Sequence, residues 1–389
     1  MKGNFITDSI KYVGVDDKDL YLFESQYEIP DGVSYNSYVI LDDKIVVMDG
    51  VDERGQDEWL DNVKKALNGR KPDYFVIQHF EPDHSGSVEA FLKEYPDVEI
   101  VGNAKTFSLG ANYADLSGHK QLVVKEGDEL KLGSHTLKFI MAPMVHWPEV
   151  MVTYEESEGV LFSADGFGKF GALSIEDDDW ACEARRYYFN IVGKYGAPVQ
   201  TLLKKAANLN IKIIAPLHGP VLSENIEYYI NLYDIWSSYK PEEKGVLVAY
   251  ASIHGNTEVV AKYVAKKLQE KGEKIAFADL TRDSMSEAVE DAFKYDRMVI
   301  AASSYDGGVF LPMEYFLMDL SYKTYQNRKV AIIENGSWGP TAGRKMKSYI
   351  EGYKNVETIG DMVTIMAKAK EADYAKLDAL IDAVIEAGK

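Results

Sequence analysis

The chain of 389 residues contains a single cysteine, Cys182. One thiol cannot close a disulfide within the chain, and it cannot supply a four-cysteine zinc site or an iron–sulfur cluster. Any bound metal must therefore rely on imidazole and carboxylate ligands. No segment approaches the roughly 18 apolar residues that a membrane-spanning helix needs, and the start of the chain lacks the apolar stretch of a secretory signal. We expect a cytoplasmic protein with no membrane partner.

Basic residues are also in short supply, because 43 Lys and Arg stand against 62 Asp and Glu, a formal net charge of −19. Nucleic acids bind through clusters of Lys and Arg on their phosphates, and anionic membrane surfaces attract similar clusters. The composition therefore argues against both partners. With 46% apolar and 27% charged residues, the chain is typical of globular proteins, and its length suits two or three domains.

A polar, proline-containing stretch at residues 238–245 is the best domain boundary. We predict domains over residues 1–242 and 243–389. Short strand-like runs and helical patterns, including a helix over about Asp177–Val192, predict a layered α/β arrangement for the first. Five strand-like runs alternate with helices in the second, the last strand near Glu357–Gly360 and the last helix over Glu371–Ala387. This rhythm predicts a doubly wound, five-stranded parallel sheet.

Four potential metal ligands lie within six residues, directly after the predicted strand Tyr74–Gln78. They are His79, Glu81, Asp83 and His84. Three more follow later strand-like runs, namely His146, Asp165 and His218. Loops at strand ends are where α/β folds place their chemistry. A lone histidine there is more often structural, but four of the chain's seven histidines in this order indicate a metal centre.

Three loops of the second domain combine residues that suit a ligand with a phosphate group and a flat ring. The first joins a strand to a helix without the lysine of a P-loop and without GxGxxG, and it can bind a phosphate at the helix N-terminus. The other two combine glycines, which let the backbone approach a flat ring, with aromatic residues that can stack on it. The candidate contacts are Ser252, His254, Gly255, Asn256 and Thr257; Ser304, Tyr305, Asp306, Gly307, Gly308 and Val309; and Asn335, Gly336, Ser337, Trp338 and Gly339.

The ligand order HxExDH, then His146, Asp165 and His218, resembles the metallo-β-lactamase fold, in which two facing sheets flanked by helices carry a dinuclear metal site. Hydrolytic zinc members usually show HxHxDH, whereas Glu81 replaces the second histidine here. A mixed nitrogen and oxygen ligand set suits iron or manganese. The SxHGNTE string at Ser252 resembles the FMN phosphate loop of flavodoxins. In ligand set, flavin loops and domain order the chain resembles the flavodiiron proteins over nearly its whole length.

The resemblance implies a metallo-β-lactamase-like αββα sandwich with two irons, followed by a flavodoxin-like domain with FMN. By resemblance His79, Glu81 and His146 bind one iron, Asp83 and His218 bind the other, and Asp165 bridges both. His84 stays open, because its position is a ligand in some members and turned away in others. The contact of Trp338 also stays open, because it follows Ser337 without the glycine common in the family.

The implied activity is reduction of O2 to water, of NO to N2O, or of both. Electrons come from rubredoxin or another reduced carrier, since no four-cysteine module is present. The family's subunits form head-to-tail homodimers, or dimers of dimers, that bring the FMN of one subunit to the irons of the other. Two alternatives stay open: a zinc hydrolase fused to a flavodoxin-like carrier, and a flavin carrier with a vestigial metal site.

Overall fold

The computed structural model describes residues 6–175 and 179–389. The chain divides into two compact units. The first unit comprises residues up to Tyr188 together with Tyr195–Asp234, and the second comprises Phe189–Lys194 together with Ile235–Lys389. In the described part of the chain no helix combines the length and the apolar character that crossing a bilayer demands.

The first part of the chain contains fifteen short strands among the described residues. They are β1 Ile10–Tyr12, β2 Val15–Asp17, β3 Leu22–Phe23, β4 Tyr27–Glu28, β5 Val33–Tyr35, β6 Tyr38–Ile40, β7 Val46–Met48, β8 Tyr74–Val76, β9 Glu99–Gly102, β10 Gln121–Val123, β11 Glu129–Lys131, β12 Thr136–Met141, β13 Met151–Glu155, β14 Val160–Phe162 and β15 Ile213–Ala215. The helices are α1 Gln56–Leu67, α2 Pro82–Ser85, α3 Val88–Glu94, α4 Ala104–Gly110, α5 Trp180–Tyr187, α6 Gly196–Ala206 and α7 Ile226–Ser237.

Two sheets form the core of the first unit. One has the order β1-β6-β7-β8-β9-β10 and is parallel from β7 to β10; the other has the order β11-β12-β13-β14-β15 and is antiparallel except for its last pair. Apolar side chains of both sheets share one buried cluster, Met48 and Val76 from the first and Phe139 and Phe162 from the second. The predicted αββα sandwich is therefore confirmed.

The second unit is built on one sheet, which is parallel except for one strand of two residues. Its strands are β16 Glu243–Ala251, β17 Ile275–Asp279, β18 Tyr295–Tyr305, β19 Gly308–Val309, β20 Gln326–Asn335, β21 Lys354–Thr358 and β22 Val363–Ile365. Its helices are α8 Asn256–Glu270, α9 Met285–Lys294, α10 Leu311–Tyr322, α11 Ala342–Gly352 and α12 Glu371–Ala387. The order β17-β16-β18-β20-β21 is the 2-1-3-4-5 order of flavodoxin-like sheets, and the predicted fold class is confirmed.

Two predicted elements differ in the structure. The last strand was predicted near Glu357–Gly360, but β21 ends at Thr358 and a second segment, β22, continues along β20. Gly360 has a φ of +61°, which ends an extended strand. The helix predicted over Asp177–Val192 begins outside the described residues, and after α5 it passes into a π-helical turn at Tyr188–Val192.

The predicted boundary between residues 242 and 243 stays a prediction. In the second unit the segment Phe189–Lys194 packs beside residues that follow Ile235. The ring of Phe189 stacks on Phe293 at 4.2 Å, and the Tyr239 hydroxyl donates a hydrogen bond to the carbonyl oxygen of Gly193 at 2.7 Å. These contacts explain why part of the chain before the predicted boundary belongs to the second unit.

Helix α10 offers a matched test of the second core. Leu317 is fully buried, whereas Leu311 on the same helix is 65% exposed. Leu317→Ala should lower the free energy of unfolding of this unit by about 2–5 kcal/mol, because it leaves a cavity. Leu311→Ala should change it by less than about 0.5 kcal/mol. Hydrogen exchange in urea, read at amides of the second unit, measures both; equal effects would contradict this packing.

Candidate metal centre and flavin site

The loop after β8 sends its side chains in two directions. His79 and Glu81 lie two residues apart, and Glu81 is extended, with φ −62° and ψ 143°; side chains at this spacing on an extended chain point to the same side. Pro82 then opens α2, a position where its missing N–H costs no hydrogen bond. The helical turn redirects the chain, so Asp83 and His84 join a different group of side chains.

The first ligand group joins His79 and Glu81 to His146, from the loop between β12 and β13, and to Asp165, from the loop after β14. Oε2 of Glu81 lies 3.0 Å from Nε2 of His79 and 3.0 Å from Nε2 of His146. Oδ2 of Asp165 lies 3.3 Å and 3.0 Å from the same two nitrogens. One ligand atom from each residue lies within 4.8 Å of the others, close enough to share one ion.

The second ligand group contains Asp83, His84 and His218. Nε2 of His218 lies 3.2 Å from Oδ2 of Asp83, and Nε2 of His84 lies 3.5 Å from Oδ1 of Asp83. Oδ1 of Asp165 lies 3.1 Å from Nε2 of His84 and 3.7 Å from Nε2 of His218. Asp165 thus presents one carboxylate oxygen to each group, and His84 turns its Nε2 into the second.

Several atoms that face one another in these groups are buried without a hydrogen-bond partner. They are both carboxylate oxygens of Asp83, Oδ2 of Asp165, and Nε2 of His146 and of His218. Leaving such atoms unpaired is costly, and a cation at the centre of each group satisfies them. Four imidazoles and three carboxylates form a donor set that suits iron. The residues therefore fit a dinuclear metal centre.

A third cluster provides the contrast. It consists of His135, Glu155 and Glu158. Here Asp42 Oδ2 lies 2.8 Å from His135 Nδ1, and Ser9 Oγ lies 2.8 Å from His135 Nε2. Glu155 accepts hydrogen bonds from the backbone N–H groups of Ser157 and Glu158. Because these polar atoms already have partners within the protein, the cluster needs no cation.

In the second unit, the loops after β16, β18 and β20 enclose a cavity of about 390 Å³ at the carboxyl edge of the sheet. This volume falls in the range of about 300–1,000 Å³ that is usual for cofactor pockets. The loops lie where the strand order reverses, the place where such sheets bind ligands. Thirteen predicted contacts line the cavity: Ser252, His254, Asn256, Thr257, Ser304, Tyr305, Asp306, Gly307, Asn335, Gly336, Ser337, Trp338 and Gly339.

Three predicted contacts do not line this cavity. Gly255, with a φ of +84°, precedes the first residue of α8, and its N–H donates to Ser252 Oγ at 3.1 Å within the loop. Gly308 and Val309 form β19, which pairs with the end of β18. Their place in this hairpin explains why they support the loop of Tyr305 instead of facing the cavity.

Comparison with known proteins finds a match for each of the two domains. The model of the ODP family beta lactamase matches residues 33–219, and that of the flavodoxin domain matches residues 247–380. A nitric oxide reductase of Moorella thermoacetica is 28% identical, over 92% of this chain and 91% of its own. The solved structure of a variant flavo di-iron protein from Thermotoga maritima is 27% identical, with a TM-score of 0.88, over 98% of this chain and 96% of that chain. The chain thus combines the two domains, and has the fold, of the flavodiiron proteins.

The fold is also shared by the rubredoxin oxygen:oxidoreductase of Desulfovibrio gigas, with a TM-score of 0.90 at 23% identity over 99% of this chain and 98% of that chain. The relatives named above are oxidoreductases. The name of the Thermotoga maritima protein describes a flavin and two irons, and the cavity and the two ligand groups of this chain fit such cofactors.

Two residues that the sequence did not single out hold the imidazoles in place. Oε1 of the fully buried Glu149 lies 2.7 Å from His79 Nδ1 and accepts the backbone N–H of Phe80 at 2.9 Å. Nδ1 of His218 donates to the carbonyl oxygen of Ser34 at 2.8 Å. With Nδ1 engaged, Nε2 of each ring carries the lone pair and faces the site. In the sequence, Glu149 is a glutamate three residues after His146, and no pattern distinguishes it from a carboxylate on the protein surface.

Opposite charges dominate the electrostatics of the di-iron site. Burial alone would lower the pKa of His79, but the carboxylates of Asp165, Glu149 and Glu81 outweigh it and raise the pKa well above its usual value. The same balance raises the pKa of His146 to about 9. Burial opposes ionisation of Asp165, yet the imidazoles of His79 and His84 hold its pKa well below the ordinary value. Metal ions therefore compete with protons for these nitrogens, and binding weakens as the pH falls.

Four residues that line the flavin cavity were not predicted: Ile253, Ser303, Thr341 and Ala367. Ala367 follows β22, a strand segment that was not predicted from the sequence, and it exchanges two hydrogen bonds with Asn335 at 2.8 and 3.1 Å. Thr341 donates its N–H to Ser304 Oγ at 2.8 Å, so Ser304 ties two of the loops together. Ile253 and Ser303 are direct neighbours of predicted contacts in the sequence. A prediction that included the whole of each loop and the last residue of the strand before it would have contained both.

The role of Glu149 can be tested through iron content. Glu149→Ala removes the acceptor of the His79 Nδ1–H, and losing such a partner typically costs about 10–100-fold in metal affinity. We expect iron to leave the variant at correspondingly lower chelator concentrations, as measured by iron analysis after dialysis. Glu156→Ala, at an exposed position close by, is the control and should retain wild-type iron. Equal retention by both variants would contradict the role of Glu149.

Two glycines of the second unit form a matched pair. A Cβ at Gly336 would lie 2.8 Å from Cα of Pro340, whereas nothing lies within 4 Å of a Cβ at Gly352, an exposed residue at the end of α11 that does not line the cavity. Gly336→Ala should weaken FMN binding by about tenfold, because overpacking of about 1–3 kcal/mol shifts the loop. Gly352→Ala should bind FMN like the wild type. Titration of the apoprotein with FMN, followed by quenching of flavin fluorescence, measures both; the reverse order would overturn this reading of the loop.

Proposed function

We propose that the protein reduces O2 to water, NO to N2O, or both, with electrons from an external carrier. The observation that supports this most is the pair of ligand groups that share Asp165, with Glu81 between His79 and His146. A mixed nitrogen and oxygen set suits a metal that changes oxidation state. The relative from Moorella thermoacetica is named a nitric oxide reductase, which supports NO as a substrate.

In this proposal His79, Glu81 and His146 bind one iron, Asp83, His84 and His218 bind the other, and Asp165 bridges them. The bound irons and FMN supply the electron storage and the reducing centre, which the side chains of the protein lack. Glu149 and the Ser34 carbonyl keep the imidazoles of His79 and His218 in the required tautomer. The protein thus contributes position, charge and a largely buried surrounding.

Among the ligands, the side chains of Glu81 and Asp83 are the most exposed to solvent. The side chains of Glu81 and Asp83 are 15% and 12% exposed, whereas those of His79, His218 and Asp165 are at most 1% exposed. Water and ions can therefore approach beside the two carboxylates. The imidazoles on the inner side stay dry, which strengthens their interaction with charge.

For the flavin, we propose that the loop Ser252–Thr257 binds the FMN phosphate at the N-terminus of α8. The loops that carry Tyr305 and Trp338 then enclose the ring. Trp338 is 94% exposed and Tyr305 is 46% exposed. Exposed apolar side chains that lie together mark interaction surfaces, and two aromatic rings beside one cavity support a head-to-tail homodimer, or a dimer of dimers, with the cavity mouth at the interface.

The remaining parts of the proposal concern organisation. The donor is rubredoxin or another reduced carrier. The two functional domains extend over residues 1–242 and 243–389, and the protein works in the cytoplasm. It binds neither nucleic acid nor membrane, in keeping with its net charge of −19.

Glu81→Ala tests the chemistry. It removes the carboxylate oxygen that lies 3.0 Å from Nε2 of both His79 and His146. Because this oxygen belongs to the proposed ligand set, gas consumption should fall nearly to zero. Purified protein is reduced anaerobically and followed with an O2 electrode and then an NO electrode, and iron and FMN are quantified on the same sample. Glu94→Ala, an exposed position, is the control. A fully active Glu81→Ala variant, or wild-type protein with two zincs and no gas consumption, would contradict the proposal.

Dilution tests the assembly. If the FMN of one subunit serves the irons of another, activity per chain should drop once dilution splits the dimer, because electron transfer then lacks its short path. Activity and sedimentation are measured across the same concentration series with both cofactors fully loaded. A monomer with full activity would refute the head-to-tail arrangement while leaving the di-iron chemistry intact.

A further inference from the structure

The first unit contains a second cavity, of about 110 Å³, lined almost wholly by apolar side chains. Its walls come from β13 and β14 on one side and from α6 and α7 on the other, with Val152, Val199 and Leu203 among them. An engineered apolar cavity of about 150 Å³ stays empty of water and binds benzene or xenon. A cavity of the present size accommodates one or two diatomic molecules.

The few polar groups on its wall are already engaged. The hydroxyl of Ser163 donates to the carbonyl oxygen of Gly166 at 2.6 Å. The hydroxyl oxygen of Tyr233 accepts the backbone N–H of Phe167 at 2.5 Å. A water molecule needs two to four polar partners to occupy a buried cavity. These two hydroxyls offer too little, so the cavity favours a non-polar occupant.

The cavity wall includes both an exposed residue directly after α6 and buried residues that are neighbours of metal ligands in the sequence. Ala207 at its outer end is exposed, whereas Val145 and Phe167 at its inner end are 2% and 4% exposed. Val145 directly precedes His146, and Phe167 follows Asp165 by two residues. The next residue, Gly168, lies so close to the ligands that a Cβ placed on it would be 3.4 Å from Cβ of His218. Gly166, which directly follows Asp165, also lines the cavity, so two segments of its wall continue along the chain into ligands of the metal centre.

We propose that this cavity is a holding site and route for the diatomic gas, leading from the surface near Ala207 to the back of the di-iron centre. The inference rests on the proposed function for the identity of the gas. O2 and NO dissolve more readily in apolar surroundings than water or ions do. The apolar route therefore supplies gas from the inner side, while the carboxylate side of Glu81 and Asp83 remains for water and protons.

The ring of Phe167 is the inner gate of this route. It stacks on Tyr233 with 4.1 Å between ring centroids, and its backbone has a φ of +65°, a conformation that costs a bulky residue free energy. Such strained positions persist where surrounding contacts hold them. The Tyr233 hydroxyl provides that contact through the Phe167 N–H.

Xenon tests the site directly in the unmodified holoenzyme. Crystals pressurised with xenon should show anomalous scattering between Val152, Val199 and Phe167. Ala206→Phe, which places a ring in the cavity, should abolish this signal. Ala197→Phe, at an exposed position on the opposite face of the same helix, should keep the signal. Absence of xenon from the wild-type cavity would overturn the inference, and this result does not depend on any variant folding.

Kinetics test the route. With FMN-reduced holoenzyme and limiting gas, kcat/KM for O2 or NO should fall about three- to tenfold in Ala206→Phe, with kcat at saturating gas unchanged. Ala197→Phe should match the wild type, and Leu203→Trp serves if Ala206→Phe does not fold. Xenon in the cavity with unchanged gas kinetics in the filled variants would overturn the route. If the wild type consumes neither gas, the proposed function fails, while bound xenon still identifies the cavity as a non-polar gas site.

Discussion

The two carboxylate oxygens of Asp165 face different ligand groups, and the geometry of the metal centre depends on this division. Oδ2 lies within 3.3 Å of the imidazoles of His79 and His146, and Oδ1 lies within 3.7 Å of those of His84 and His218. A fully buried carboxylate is costly unless cations or donors surround it. Four imidazoles and two metal ions meet that need, so one side chain couples the two halves of the site.

The fold explains how distant residues reach this one carboxylate. The loops after β8, β12, β14 and β15 come from both sheets of the sandwich and bring the ligands to one edge. Residues behind the ligands, such as Glu149 and Ser34, then fix the imidazole rings. Hydrogen bonds behind the site also position the loops of the second unit. There Ser304 joins two loops, because its Oγ accepts the N–H groups of Thr341 and Ala342.

Much of this arrangement could be predicted from sequence, because the ligands and the flavin loops follow buried strands. These strands are recognisable as short runs of apolar residues. Short or exposed elements escaped, including β10 and β11, which alternate exposed and half-buried residues at the edges of their sheets. The short helix α2 escaped because four residues show no helical period. Glu149 and Thr341 could not be found because their roles arise from contacts across the fold. The division of the two Asp165 oxygens between the ligand groups is likewise visible only in the structure, because no sequence pattern tells which oxygen faces which imidazole.

The most direct test of the central claim is a crystal structure of the holoenzyme measured on both sides of the iron absorption edge. Two iron peaks should appear, one among His79, Glu81 and His146 and the other among Asp83, His84 and His218, with one oxygen of Asp165 directed at each. A single iron peak, a zinc signal in place of iron, or an Asp165 carboxylate bound to one ion only would contradict the account.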